Sequence, residues 1–116
     1  MAQISAQSSK IRRVKKLIKE YVQSLKSKIK VERVILFGSY GRGEPGKYSD
    51  IDLIIISPDF KRMDFMDRLI FLSKMRKEKF MSPGMDIFGY TKEEFERLSK
   101  ESIVLGEAKE EGVLIK

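Results

Sequence analysis

The sequence of 116 residues contains no cysteine, no histidine and no asparagine. The lack of cysteine excludes disulfide bonds and thiolate metal sites, and the lack of histidine removes the commonest general base and the commonest zinc ligand. Any catalysis therefore depends on carboxylates, hydroxyls, lysine, arginine, tyrosine or a hard metal ion. The many lysines and glutamates and the scarcity of thermolabile residues are typical of a thermophile.

Long hydrophobic runs are also missing, since no apolar stretch approaches the roughly 20 residues of a membrane span. The polar start of the chain does not resemble a signal peptide, so we expect a cytoplasmic protein without a membrane partner. With 41% hydrophobic and 35% charged residues, the composition is typical of a globular protein. We predict a flexible tail over residues 1–9 and a single domain over residues 10–116.

The net charge of +7 is uneven along the chain. Residues 1–30 carry nine basic residues and one acid, Glu20, and the basic residues are Lys10, Arg12, Arg13, Lys15, Lys16, Lys19, Lys26, Lys28 and Lys30. Such a segment is either a surface for nucleic acid or an acidic partner, or a solvated helix face. The small number of aromatic residues that could stack on bases favours the solvated face.

Apolar patterning predicts a mixed α/β domain with helices packed on a small sheet. Spacings of three and four residues predict an amphipathic helix over residues 10–30, with Ser9 as its N-cap. Short apolar runs predict strands over residues 34–37, 50–57, 85–88 and 113–115. Further helices are predicted over about residues 62–79, after a capping box from Thr91 to Glu94, and over residues 103–111.

Two acidic residues stand at the start of the second predicted strand. Side chains of a strand alternate between its faces, so Asp50 and Asp52 project from the same face, about 6.6 Å apart. A pair of like charges in an apolar strand is costly unless a cation compensates it. Mg²⁺ prefers carboxylate oxygens and keeps waters and substrate phosphates as its other ligands. The pair therefore predicts a magnesium site.

A Gly-Ser step closes the first predicted strand. Gly38 allows the backbone to approach a phosphate closely, and exposed N–H groups at such a turn bind anions. The Ser39 hydroxyl adds a donor, and the planar guanidinium of Arg42 can reach the same phosphates, although it could equally pair with Glu44. A phosphate-binding turn and a metal site thus lie at the two ends of one loop.

A third acid, Asp86, lies in the third predicted strand. If this strand pairs beside the second one, Asp86 lies next to Asp52. It would then complete a second metal position or accept the proton of an attacking hydroxyl. The alternative is a surface acid on an edge strand.

The segment Gly38-Ser39, followed after ten residues by Asp50-x-Asp52, resembles the signature of the polymerase-β-like nucleotidyltransferase superfamily. The longer pattern, Gly-Ser-x-x-Arg-Gly and then Ser-Asp-Ile-Asp-Leu, resembles the minimal nucleotidyltransferase (MNT) family of prokaryotes. The resemblance extends to Asp86 and covers most of residues 30–112. Gly-Ser or Asp-x-Asp alone would be weak, whereas their joint spacing is specific.

This resemblance implies the polymerase-β-like nucleotidyltransferase fold. Asp50, Asp52 and Asp86 would be the catalytic metal carboxylates, and Gly38, Ser39 and Arg42 would bind the triphosphate. Mg²⁺ would be the cofactor and ATP the donor. Minimal members are often antitoxins of HEPN-type toxins, and some are implied to transfer AMP to a toxin tyrosine.

Three functions follow from this resemblance. The first is transfer of a nucleoside monophosphate to a protein hydroxyl. The second is an antitoxin that neutralises by contact alone and keeps the nucleotide site without turnover. The third is transfer to a small molecule or a nucleic acid, against which the lack of an acceptor domain speaks.

Overall fold

A computed structural model describes residues 6–46, 49–76 and 83–115 of the chain. Within these ranges the chain forms α1 (Ala6–Lys26), β1 (Arg33–Phe37), α2 (Gly38–Gly41), β2 (Ile51–Ile56), a 3₁₀ helix (Pro58–Arg62), α3 (Phe65–Lys74), β3 (Met85–Tyr90), α4 (Lys92–Leu98), α5 (Ile103–Glu111) and β4 (Val113–Leu114). None of the helices within these ranges has the length and apolar character needed to cross a bilayer.

The four strands form one mixed sheet in the order β3-β2-β1-β4. Strand β1 is antiparallel to both β2 and β4, whereas β2 and β3 are parallel. A parallel pair needs a crossover connection, and α3 lies in that connection. The predicted small mixed sheet with packed helices is therefore confirmed.

Helices cover both faces of the sheet. Alternation along β2 sends Leu53 and Ile55 to the face covered by α1 and α3. Ile54 and Ile56 point to the opposite face, where they pack with residues of α4 and α5. Asp52 continues this second series, so its carboxylate belongs to the face covered by α4 and α5.

The first helix begins earlier than the sequence predicts. Residues 1–5 of the predicted tail lie outside the described residues, and residues 6–9 already belong to α1. The prediction of Ser9 as N-cap is therefore wrong, because Ser9 lies inside the helix. Its polar neighbours give no apolar periodicity from which the earlier start could be read.

The helix predicted over residues 62–79 is shorter in the structure, and residues 77–79 lie outside the described residues. A 3₁₀ helix comes first, and its start is fixed by the Ser57 hydroxyl, which accepts a hydrogen bond from the Asp59 N–H at 3.1 Å. Helix α3 then begins at Phe65, because the Asp64 carboxylate accepts from the Asp67 N–H at 2.9 Å. Two side-chain caps thus divide the segment.

The remaining boundaries differ by a few residues. The capping box of Thr91 and Glu94 is confirmed, with both of its reciprocal hydrogen bonds present. Strand β3 continues to Tyr90, two residues beyond its predicted end. Strand β2 begins at Ile51, so Asp50 lies just before the strand rather than within it.

Candidate active site

The parallel pairing of β2 and β3 brings two of the predicted acids together. Asp52 is the register partner of Asp86, so the two residues lie side by side on neighbouring strands. Such strands are about 4.8 Å apart. Asp52 is half-buried and Asp86 is exposed. The geometric condition that the sequence left open for Asp86 is therefore met.

Asp50 approaches the same region from outside the strand. The Ile51 N–H donates to the Gly84 carbonyl at 2.8 Å, which holds the residues before β2 against those before β3. The Asp50 carboxylate lies over Gly84, since a Cβ placed on Gly84 would be 2.8 Å from Asp50 Oδ1. Asp50 itself is exposed.

The Gly-Ser turn lies directly against Asp52. Phe37, at the end of β1, is the register partner of Asp52, so the next residue, Gly38, begins the turn beside this carboxylate. Gly38 has a φ of 67°, and a Cβ there would overlap the Asp52 carboxylate and lie 3.2 Å from its Cγ. Glycine is thus required both by the backbone conformation and by the close approach. Ser39 follows in α2 and is partly exposed.

The electrostatics of Asp52 reflect this crowding. Burial raises the pKa of the Asp52 carboxyl above its usual value, and the charges of Asp86 and Asp50 raise it further, whereas Arg42 lowers it. Arg42 forms no ion pair with Glu44 within the described residues and remains exposed beside the site. A carboxylate with two negative neighbours is a place where a cation would stabilise the charged form.

The donor set fits a hard divalent cation, because every candidate ligand is a carboxylate. Across residues 6–46, 49–76 and 83–115, no three acidic side chains converge into a complete ligand group. Mg²⁺ is commonly held by only one or two carboxylates together with waters and substrate phosphates. Asp52 and Asp86 supply such a pair, and Asp50 lies close enough to influence the Asp52 charge.

A cavity of about 350 Å³ opens beside Asp52. Of the predicted residues, Gly38, Arg42 and Asp52 line it. The opposite wall comes from α5 and its flanks, and it consists of Val104, Glu107, Ala108, Glu111 and Gly112. Sequence reasoning missed this wall. The spacing of residues 104, 107, 108 and 111 places them on one side of a helix, but only packing shows that this side faces the aspartates.

The basic helix α1 packs behind the Gly-Ser turn and the loop that follows it. Tyr40 of α2 is buried, with 2% exposure, in the core beneath α1. The ammonium group of Lys10 lies 5.7 Å from the centre of the Tyr40 ring and donates to the Gly46 carbonyl at 2.8 Å. One cation of the basic segment therefore has a structural role in holding α2 and the loop that follows it.

Residues 16–111 of the chain match the sequence profile of the nucleotidyltransferase domain. The chain belongs to this family. The aspartates, the Gly-Ser turn and the cavity are thus the candidate active site of a nucleotidyltransferase domain.

The chain is similar in sequence to several proteins of Methanocaldococcus jannaschii. One, named a putative protein adenylyltransferase, is 51% identical over 43 residues, which cover 35% of this chain and 43% of the relative. A second with the same description is 30% identical over 74 residues, covering 64% of this chain and 67% of the relative. The nucleotidyltransferase domain thus spans about half to two thirds of the relatives that it matches.

Structural comparison agrees with the sequence. The crystal structure of a putative nucleotidyltransferase from Sulfolobus solfataricus is similar to this domain, with a TM-score of 0.71 and 26% identity. The superposition covers 98% of this chain and 89% of that one. The polymerase-β-like nucleotidyltransferase fold expected from the sequence is therefore confirmed.

Proposed function

We propose that this nucleotidyltransferase domain transfers AMP from ATP to a hydroxyl group of a protein, with Mg²⁺ held by Asp52 and Asp86 and with Asp50 beside them. The observation that carries the proposal is the placement of Asp52 between its register partner Asp86 and the glycine turn at Gly38. The protein acceptor is supported by the description of the Methanocaldococcus jannaschii relatives as putative protein adenylyltransferases.

Each residue of the site has a distinct part in this reaction. The turn at Gly38 lies against the Asp52 carboxylate, so a phosphate bound at this turn would be next to a metal held by Asp52. The exposed guanidinium of Arg42 offers paired donors to the same triphosphate. Asp52 and Asp86 present two carboxylates side by side at the end of the sheet. The bound metal would supply charge neutralisation for the phosphates and for the oxygens that attack and leave.

The reaction is a substitution at the α-phosphorus of ATP. A bond forms between the acceptor oxygen and the α-phosphorus, and the bond from this phosphorus to the bridging oxygen breaks. The electron pair of the broken bond leaves with pyrophosphate. The proton of the acceptor hydroxyl passes to a carboxylate, for which Asp86 is suited because it is exposed beside Asp52. Because the chain has no histidine, the carboxylates of the site are its candidate bases.

The biological role that fits this chemistry is that of an antitoxin whose acceptor is a HEPN-type toxin. This part rests on the resemblance to the minimal nucleotidyltransferases.

Label transfer tests the proposal. The protein is incubated with ATP labelled at the α-phosphate, Mg²⁺ and a HEPN-type protein from the same genome. We expect label on the partner, its loss in Asp52→Asn, and its retention in Asp67→Asn, which changes an exposed acid on α3. The proposal is contradicted if the unaltered protein, Asp52→Asn and Asp67→Asn all label the partner equally, or if none of them labels it.

A second candidate is an antitoxin that binds its toxin and nucleotide without turnover. It is favoured by the position of Asp50, which lies before β2 rather than within it. In this case Asp52→Asn still neutralises the toxin in cells. Loss of protection by a variant that still forms the complex would eliminate this candidate.

A further inference from the structure

One side of α5 faces the candidate active site. Successive residues of a helix are rotated by about 100°, so Val104, Glu107 and Glu111 occupy neighbouring positions on its surface. All three line the cavity that contains Asp52. The side of α5 that carries Leu105 is buried against the sheet.

Helix α5 is held firmly in this orientation. Leu105 and Ala108 are buried in the core on the second face of the sheet. The Ser102 hydroxyl caps the helix by accepting from the Leu105 N–H at 3.2 Å. Lys109 forms an ion pair of 3.2 Å with Glu96 of α4. The side chains on the cavity side therefore project from a fixed element.

Two large apolar side chains are exposed at the start of α5, and one of them, Val104, lines the cavity. Ile103 is 82% exposed and Val104 is 59% exposed, which places both among the exposed large hydrophobic residues of the described chain. A neighbouring pair of this kind beside a reaction site has apolar surface to bury when a partner binds. A partner that covers Val104 also reaches the cavity, because Val104 lines it.

The charge on the cavity wall restricts what can bind there. The residues that line the cavity include three acids, Asp52, Glu107 and Glu111, and one base, Arg42. A second phosphate chain entering beside the donor triphosphate would meet like charges, whereas a basic side chain would meet opposite ones.

We infer that the α5 rim, defined as Ile103, Val104, Glu107 and Glu111, is the docking surface for the acceptor. The acceptor is a protein segment that carries its hydroxyl next to one apolar and one basic side chain, and it is not a nucleic acid. This inference rests on the proposed function, since it assigns the acceptor for the same site.

Three labelled peptides probe the rim directly by fluorescence anisotropy in the absence of ATP. The first places tyrosine between leucine and lysine, the second replaces the lysine by glutamate, and the third replaces the leucine by serine. We expect the first peptide to bind about tenfold more tightly than either of the others. The advantage over the glutamate peptide should shrink at high salt, because partly exposed charges are screened.

Matched variants locate the effect. The double variant Glu107→Gln/Glu111→Gln should remove the preference for lysine over glutamate, whereas Glu110→Gln, an exposed acid of α5 that does not line the cavity, should keep it. Ile103→Ser should remove the preference for leucine over serine. Met66→Ser should keep it, because Met66 is 62% exposed but lies on α3, which packs on the other face of the sheet.

Two results would overturn the inference. One is equal binding of all three peptides. The other is a loss of Mg²⁺-ATP affinity in the Glu107→Gln/Glu111→Gln protein as large as in Asp52→Asn, which would show that the rim holds the nucleoside. Failure of the proposed function looks different: the peptide preferences persist, but no label is transferred from ATP to the lysine peptide or to a partner protein.

Discussion

Replacing Gly38 by alanine tests whether the turn and Asp52 form one site. Gly38 has a φ of 67°, where an L-residue costs about 1–2 kcal/mol relative to its usual conformation. The new Cβ also falls on the Asp52 carboxylate. Because the carboxylate is the end of a rotatable side chain, it can turn away at little further cost. We therefore expect Gly38→Ala to fold with about 1–2 kcal/mol less stability and with Asp52 displaced.

Gly43→Ala is the matched control. Gly43 has a φ of 76°, and a Cβ placed there meets nothing within 4 Å, so this variant has the same backbone cost without the contact. Urea unfolding should give similar losses of stability for the two variants. Calorimetric titration with Mg²⁺-ATP should separate them, because a displacement of about 1 Å in a site can cost on the order of 100-fold in function.

The reasoning is refuted if Gly38→Ala binds Mg²⁺-ATP as tightly as Gly43→Ala does. The close approach of the turn to Asp52 would then have no part in nucleotide binding. If instead Gly38→Ala is far less stable than Gly43→Ala, the assumption that the Asp52 side chain yields freely is wrong. Carrying out both measurements on both variants distinguishes these failures.

Four further predictions concern the elements around the site. Arg68→Met removes the charged partner of Glu94, bonded at 2.7 and 3.0 Å, and should lower the free energy of unfolding by about 3 kcal/mol in urea titrations. Burial alone would raise the pKa of Glu94, but hydrogen bonds from Arg68 and Thr91 hold it below its ordinary value of 4.5. The stability that the charged Glu94 carboxylate contributes is therefore fully present above about pH 4.5 and is lost as the pH falls through the lowered pKa. Acid unfolding followed by circular dichroism should consequently show a smaller pH dependence in Glu94→Gln. Thr91→Ala removes the cap of α4 and should cost about 1 kcal/mol, measured as a lower Tm. Gly84→Ala should weaken Mg²⁺-ATP binding with little loss of stability, because its Cβ would crowd the Asp50 carboxylate without a positive φ.

The Gly38 and Asp52 half of the site could be predicted because it is local in the chain. Strand β1 ends at Phe37, and β2 returns antiparallel to it, so Phe37 and Asp52 become register partners. The glycine at the end of one apolar run and the acids at the start of the next are all visible in the sequence. The predicted start of β2 was wrong by one residue, because the strand begins at Ile51 and Asp50 lies just before it.

Asp86 could be recognised as a candidate but not placed from periodicity alone. Its position depends on the parallel register of β3 against β2, which is set by a crossover of more than twenty residues. A shift of one residue in that register would turn its carboxylate to the opposite face. The resemblance to the family motif, rather than the local pattern of residues, indicated that Asp86 belongs to the site.

The α5 wall could not be predicted because it depends on packing between distant elements. Nothing in the sequence from Ile103 to Glu111 indicates which sheet face the helix will cover. The structure decides this through Leu105 and Ala108, which join the core formed by Ile35 and Ile54. Glu107 and Glu111 thereby reach the cavity as a consequence of where their buried neighbours pack.

The mixed pairing of the sheet is itself a requirement of the site. Because β1 is antiparallel to β2, the carboxyl end of β1 and the amino ends of β2 and β3 lie at the same end of the sheet. The turn at Gly38 therefore lies at the same end as Asp52 and Asp86. If all strands were parallel, this turn would lie at the opposite end of the strands. The buried residues 53–56 that follow Asp52 anchor β2 in the core. The acids near the starts of β2 and β3 remain accessible to water and ligand. The same strand thus contributes its apolar residues 53–56 to the core and Asp52, near its start, to the site.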